Sequence, residues 1–211
     1  MSYNFDELAE SVIAGDAERS ATLTQQALDA GADPVAAITD GLSKGMGVVG
    51  ARFKSGEMFV PEVLMSARAM TAGMDLAKPL ILAADMPSSG KVILGTVKGD
   101  LHDIGKNLVS MMLESAGFTV INLGIDIEPE TFVKAVSESD ADVVGLSAML
   151  TTTMLAMKAT IDSLAAAGLR NKIKVIVGGA PVSQDFADEI GADGFAPDAG
   201  GAIDLCKALV A

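Results

Sequence analysis

From residue 91 onward the chain alternates short, largely apolar runs with amphipathic stretches, a pattern that few folds accept. The runs are 91–97 (KVILGTV), 118–123 (FTVINL), 142–147 (DVVGLS), 173–178 and a short one near 194–196. Helical spacing falls between and after them, near 103–116, 129–138, 151–168, 183–190 and 199–209. Strands apolar along their whole length are covered on both faces, and strands joined by helices run parallel. Five such units predict a flavodoxin-like α/β domain, a five-stranded parallel sheet with helices on both sides. Ligands of such sheets bind beyond the carboxyl ends of the strands, so the chemistry is expected in the loops that follow them.

Before residue 85 that alternation is absent and helical spacing holds throughout. Leu8, Val12 and Ile13 share one face. Asp16 is placed to cap a second helix carrying Leu23, Ala27 and Leu28, with Gly31 as its stop. Asp33-Pro34 opens a third, on which Val35, Ile38, Leu42, Met46, Val49 and Phe53 recur at steps of three and four. Gly41, Gly45, Gly47 and Gly50 lie inside it, each weakening it by roughly 1 kcal/mol relative to Ala, so close packing against a neighbour is expected. Lys54-Ser55-Gly56 breaks that helix, and Pro61 opens a fourth with Leu64, Ala67, Met70, Met74, Ala77 and Ile81 on one face. Four helices with short connections predict a small antiparallel bundle. The segment 85–90 (DMPSSG) reads as a linker. The expected organisation is thus a four-helix domain over 1–88 and an α/β domain over 89–211.

Counts narrow the chemistry. His102 is the only histidine and Cys206 the only cysteine, which excludes a disulfide framework, a thiolate zinc site and any multi-histidine metal site. Cys206 reads as core filler on the last helix. Fifteen Lys and Arg against 28 Asp and Glu give a net charge of −13, which disfavours nucleic acid. The acidic start MSYNFDELAE is unlike a signal peptide, and no apolar run is long enough to span a membrane, so a cytoplasmic location is expected.

Three loop features follow the predicted strands. The first run leads into Gly99-Asp100-Leu101-His102-Asp103-Ile104-Gly105-Lys106-Asn107. Asp100 and His102, two apart, can share a face in extended chain, so the carboxylate can bond one imidazole nitrogen and leave the other free. Gly105 either admits a bulky group or serves helix–strand packing. A phosphate-loop reading fails, because the glycine spacing and the hydroxyl are missing. Ser147 ends the third run and starts Ser147-Ala148-Met149-Leu150-Thr151-Thr152-Thr153, and Gly178-Gly179 ends the fourth. Taken singly, each fits an ordinary role: a surface ion pair, or βα-turn chemistry.

Taken jointly, they resemble a known signature. Asp100-x-His102-x-x-Gly105, then 41 residues, then Ser147-x-Met149, then 28 residues, then Gly178-Gly179 is similar to the D-x-H-x-x-G, S-x-L and G-G motifs of cobalamin-binding domains. These domains hold the corrinoid with its lower base displaced. Met149 stands where Leu is usual, a near-isosteric apolar change. The string VKGDLHDIGKN resembles the methyl-transfer branch of that family, and FVPEVLMSARAM at 59–70 resembles the helical cap of methionine synthase and of small methyltransferase corrinoid proteins. The whole chain resembles the stand-alone corrinoid protein of a three-component methyltransferase system of the methylamine, methanol, quaternary-amine or aryl-ether type.

The resemblance implies roles. His102 would ligate cobalt, Asp100 would bond its imidazole, and Thr153 would extend the relay by its hydroxyl. Asp103, Ile104, Gly105, Ser147, Met149, Thr151, Gly178 and Gly179 would contact the cofactor. The helical domain would cover the methyl-bearing face, with Phe53, Met58, Phe59, Val63 and Leu64 as candidates that equally suit bundle core. Gly56 and 85–90 would be hinges. The implied function is a methyl carrier: Co(I) takes a methyl group from a donor held on a substrate-specific methyltransferase, and the methyl-Co(III) form delivers it to a second methyltransferase acting on a thiol or tetrahydrofolate. A reductive activase would be a further partner. On this reading the chain is a non-catalytic or co-catalytic subunit. A cobalamin-dependent sensor, the small subunit of an adenosylcobalamin mutase and a plain nucleotide binder are the alternatives. The methyl donor is not legible in the sequence.

Overall fold

A computed structural model describes residues 3–81 and 88–211. Residues 85–87 of the expected linker lie outside them, and Ser88–Gly90 are irregular. The chain divides into two compact units, the first running to Ser88 and taking in Ser115–Gly117, the second comprising Ser89–Glu114 and Phe118–Ala211.

The first unit is helical. α1 (Asp6–Ile13) and α2 (Ala17–Asp29) are separated by Asp16, whose carboxylate accepts from the Arg19 N–H at 3.0 Å. The third helix is continuous but not uniform. It opens as α3 (Pro34–Ala36) with Asp33 accepting from the Val35 N–H, passes through a π-helical stretch at Ala37–Ser43, and continues as α4 (Lys44–Lys54). Its buried residues Ala37, Ile38, Gly41 and Leu42 keep three- and four-residue steps, so the wider turns leave no mark on the apolar pattern. Two of its glycines are there for packing. A Cβ on Gly41 would come within 2.7 Å of Leu8, and one on Gly45 within 2.7 Å of the Ala9 carbonyl oxygen, so both let α1 lie close. A Cβ on Gly47 would meet nothing within 4 Å, so packing does not explain that one.

α5 (Val60–Ala77) begins one residue before Pro61, with the Glu62 carboxylate accepting from the Phe59 N–H at 2.8 Å. It does not extend to Ile81 as its periodicity implies. Pro79 has no N–H to continue the ladder, and a 3-10 turn at Lys78–Leu80 replaces the last turn. Val12, Leu42, Val49 and Val63 are fully buried.

The second unit follows the expected alternation: β1 (Lys91–Thr96), α6 (Ile104–Ser115), β2 (Thr119–Asn122), α7 (Pro129–Ser137), β3 (Val143–Ser147), α8 (Met154–Ala166), β4 (Lys174–Gly178), α9 (Gln184–Ile190), β5 (Gly194–Ala196) and α10 (Ala199–Val210). The five strands are parallel in the order β2-β1-β3-β4-β5, the flavodoxin-like arrangement. The chain steps from β1 outward to β2 and then returns to the other side of β1 for β3. The crevice for a ligand therefore opens between the ends of β1 and β3.

Register gathers the loop motifs. Thr96 pairs with Ser147, Ser147 with Gly178, and Gly178 with Ala196, so these residues lie in one row across the carboxyl edge of the sheet. Beneath that row, Ile93, Val144, Leu146, Val175 and Val177 pack with Phe132 of α7 and with Met157, Ile161 and Leu164 of α8. Gly95 makes room for that layer, since a Cβ there would sit 2.5 Å from Phe132 Cζ. Cys206 is buried on α10, and burial pushes its thiol up to about 12, which makes it core filler. Among the described residues, no helix is long and apolar enough to cross a membrane.

Candidate cofactor site

β1 ends at Thr96 and the chain turns at Gly99, whose φ of +81° suits glycine. The segment that follows, which carries Asp100 and His102, stays irregular until α6. The Asp100 carboxylate is fully buried. Its Oδ1 lies 3.0 Å from His102 Nδ1 and 3.1 Å from the His102 N–H. Its Oδ2 accepts from the Met149 N–H at 2.7 Å and from the Thr153 hydroxyl at 2.7 Å, with the Leu150 N–H at 3.4 Å. Burial alone would raise this carboxyl. The bonds from Thr153, Met149 and His102 outweigh that and hold it well below the usual carboxylate range.

That protonation state fixes the imidazole. An ionised carboxylate only accepts, so the proton of a neutral ring sits on Nδ1 and the lone pair on Nε2. Nε2 has no hydrogen-bond partner among the described residues, and the side chain is 54% exposed. A half-exposed imidazole, its tautomer set by a buried carboxylate, is a preorganised nitrogen donor for one metal coordination position.

The β3–α8 loop supplies the other side. α8 does not begin at 151 as its spacing implies. Thr151–Thr153 form a turn, and helix starts at Met154. The reason is local: the Thr153 hydroxyl bonds Asp100, with the Leu150 carbonyl oxygen 2.9 Å away, instead of capping the helix. Thr151 is exposed in that turn. Around His102 the loops expose apolar side chains that soluble surfaces seldom cluster: Leu101 at 67%, Ile104 at 76%, and Met149 and Leu150 near half. Asp103, just before α6, accepts from the Asn107 side-chain amide at 3.0 Å.

The glycines resolve differently. A Cβ on Gly105 would meet nothing within 4 Å, so helix–strand packing is not its purpose and the space above it is open. Gly179, with φ +126°, has no room for a side chain: a Cβ would lie 1.8 Å from the Ala148 carbonyl oxygen. Gly178 is tight as well, its Cβ position 3.0 Å from the Ala196 carbonyl oxygen. Gly179 thus marks a close backbone approach between the loops after β3 and β4. Ser147 stands between Thr96 and Gly178 in the row of strand ends. Of the five candidate covering residues of the helical unit, Met58 and Val63 are buried, Phe53 and Leu64 half-buried, and Phe59 is 67% exposed.

Three residues near the site escaped the sequence reading. The buried Thr96 hydroxyl donates to the His102 carbonyl oxygen at 2.8 Å, and its signal was a polar residue inside an apolar run. Asp126, between β2 and α7, accepts from the Gly99 N–H at 2.7 Å. Lys106 is 4% exposed and donates to the side-chain oxygens of Asn107 and Asn122, both at 2.7 Å, and burial lowers its ammonium below the ordinary lysine value. No spacing argument points to the last two.

Residues 90–204 match one B12 binding domain family and residues 5–78 match another. The chain is 48% identical over 208 residues to a corrinoid protein of Desulfitobacterium hafniense (strain Y51), covering 97% of this chain and 96% of that protein. It is 43% identical over 206 residues to the dimethylamine corrinoid protein of Methanosarcina barkeri, with 97% and 96% covered. In structure it is similar to a chain of the methanol:cobalamin methyltransferase complex of Methanosarcina barkeri, with a TM-score of 0.87, 34% identity, and 97% of this chain and 78% of that one covered. Both B12 binding domains are present, the similarity runs along nearly the whole of these relatives, and the chain belongs to the corrinoid protein family.

Proposed function

We propose that this chain carries methyl groups on a bound corrinoid, loaded by a donor-specific methyltransferase and emptied by a second one that methylates a thiol or tetrahydrofolate. The observation that carries the reading is the pairing of His102 with a buried, ionised Asp100 at the β1/β3 crevice, in a chain similar to corrinoid proteins along its length. The donor set suits the group. His102 Nε2, the one ring nitrogen left free by Asp100, would hold the cobalt of a corrinoid. The exposed Leu101, Ile104, Met149 and Leu150 suit the apolar face of a wide ring. When bound, the corrinoid supplies a cobalt centre that can accept and release a methyl group.

The chain's own residues do the rest. His102 ligates, Asp100 keeps the ring in the Nδ1–H tautomer, and Thr153 stabilises the charge on Asp100. The open space at Gly105 admits the bulky cofactor. Ser147, Met149, Gly178 and Gly179, with Asp103 and Thr151, would contact the rest of the cofactor. Phe59 is exposed on the helical domain. A reductive activase would be a further partner. A DNA-binding sensor fits poorly with a net charge of −13, and a mutase small subunit leaves the helical domain without a task.

The test uses reduced holoprotein with methyl-labelled methanol, dimethylamine or glycine betaine and the corresponding methyltransferases. Label should move to the corrinoid with one donor and leave it when a thiol- or tetrahydrofolate-dependent methyltransferase is added. Label that never reaches the corrinoid with any of these pairs overturns the reading.

A further inference from the structure

The segment bearing His102 is held at both ends by groups outside it, and neither belongs to the signature residues. At its start stands Asp126. This is the one non-glycine residue with positive φ among the described residues, at +54°. From that left-handed conformation it makes two bonds into the same stretch of chain. Its carboxylate Oδ1 accepts from the Gly99 N–H at 2.7 Å, and its own N–H donates to the Asp100 carbonyl oxygen at 3.0 Å. At the far end, the fully buried Thr96 hydroxyl donates to the His102 carbonyl oxygen at 2.8 Å. Thr96 is anchored as the last residue of β1: its N–H donates to the Gly124 carbonyl oxygen and its own carbonyl accepts from the Ile127 N–H, both at 3.0 Å. Thr96 and Asp126 are thus tied to the same β2–α7 connection.

We infer that Thr96 and Asp126 are positioning residues for the cobalt ligand, presetting the Gly99–His102 backbone so that the His102 ring meets its metal without reorganisation. The inference rests on the proposed ligation by His102. Residues 99–102 lie outside helix and strand, so ladder bonds do not hold them. Asp100 fixes its ring partner only as well as its own backbone is fixed. A left-handed non-glycine residue is strained unless its surroundings demand it, and here it satisfies two backbone groups of the ligand segment. Asp and Asn tolerate that conformation better than other side chains, which explains the residue type. A threonine hydroxyl buried at a strand end can give its proton to few acceptors, and this one gives it to the ligand residue itself.

The experiment compares holoprotein of the wild type with Thr96→Val, Thr96→Ser, Asp126→Ala and Asp126→Asn. Electron paramagnetic resonance of the Co(II) form, at one fixed pH, reads the fraction of cobalt that shows nitrogen coupling from His102. Looser positioning leaves more of the cobalt without the imidazole. Thr96→Val and Asp126→Ala should lower the ratio of coupled to uncoupled cobalt by roughly twofold to tenfold, the shift that one lost hydrogen bond gives. Thr96→Ser and Asp126→Asn, which keep the bonds, should return it towards wild type. The bound corrinoid content, measured alongside, controls for misfolding. A wild-type spectrum without nitrogen coupling overturns the ligand reading and this inference with it. Coupling in the wild type with the coupled fraction unchanged in Thr96→Val and Asp126→Ala overturns the inference alone.

Discussion

Asp100 Oδ1 lies 3.0 Å from His102 Nδ1, and the two side chains differ sharply in exposure: the carboxylate is fully buried and the imidazole is 54% exposed. The buried partner sets the state of the exposed one. An isolated buried carboxylate would tend to take up a proton, but four close donors keep Asp100 ionised. The site therefore presents a single lone pair, on Nε2, outward.

Replacing Asp100 by Asn tests that reasoning without a cofactor. An amide cannot accept everywhere a carboxylate does, so one of its N–H groups must face a present donor or the His102 ring. Asp100→Asn should cost about 1.5–3 kcal/mol in urea unfolding at neutral pH, the range for bonds to a charged group. The pH dependence adds a sign. The folded carboxyl sits below its ordinary 3.8, so the unfolded chain binds the extra proton first as pH falls. Its contribution to stability is complete above about pH 5, falls away as pH drops through the unfolded and then the folded value, and is absent from Asp100→Asn. Parallel acid profiles for the two proteins would contradict the assignment.

Thr153→Val removes a buried hydroxyl that serves Asp100 and should destabilise by about 1–3 kcal/mol. Thr153→Ser should recover most of that loss. The same pair separates the relay from mere packing, because Val preserves the volume. Equal stabilities of Val and Ser variants would show that the hydroxyl contributes nothing.

The two glycine substitutions should part company. Gly179→Ala puts a methyl group 1.8 Å from the Ala148 carbonyl oxygen at φ +126°, and a loss of about 3 kcal/mol or more, or no folded protein, is expected. Gly105→Ala meets nothing in the protein and lies in the first turn of α6, so apoprotein stability should hold or rise by up to about 1 kcal/mol. Corrinoid binding by Gly105→Ala should nonetheless weaken, as read by titration of apoprotein. A destabilised Gly105→Ala apoprotein would assign that glycine to packing instead.

What the sequence made legible was periodic or collinear. The α/β alternation showed because apolar runs and helical spacing differ in period. The Asp100–His102 pair showed because two-residue spacing in extended chain is a local geometry. The register that sets Thr96, Ser147 and Gly178 in one row is long-range, and only the joint spacing of the motifs hinted at it. The π-helical stretch at Ala37–Ser43 left no sign because its buried residues keep helical steps. Asp126 and Lys106 were missed for a related reason. Their parts depend on bonds to residues 16 and 27 positions away, and nothing in their immediate neighbours distinguishes them from surface charge.

The central claim is that His102 holds cobalt through Nε2. The direct measurement is electron paramagnetic resonance of Co(II) holoprotein, prepared with ordinary histidine and with nitrogen-15 histidine, beside the His102→Ala variant. With one histidine in the chain, isotope substitution labels one imidazole. The account predicts nitrogen coupling in the wild type that changes from the triplet to the doublet pattern with the label and vanishes in His102→Ala. Coupling that ignores the label, or survives in His102→Ala, would contradict it.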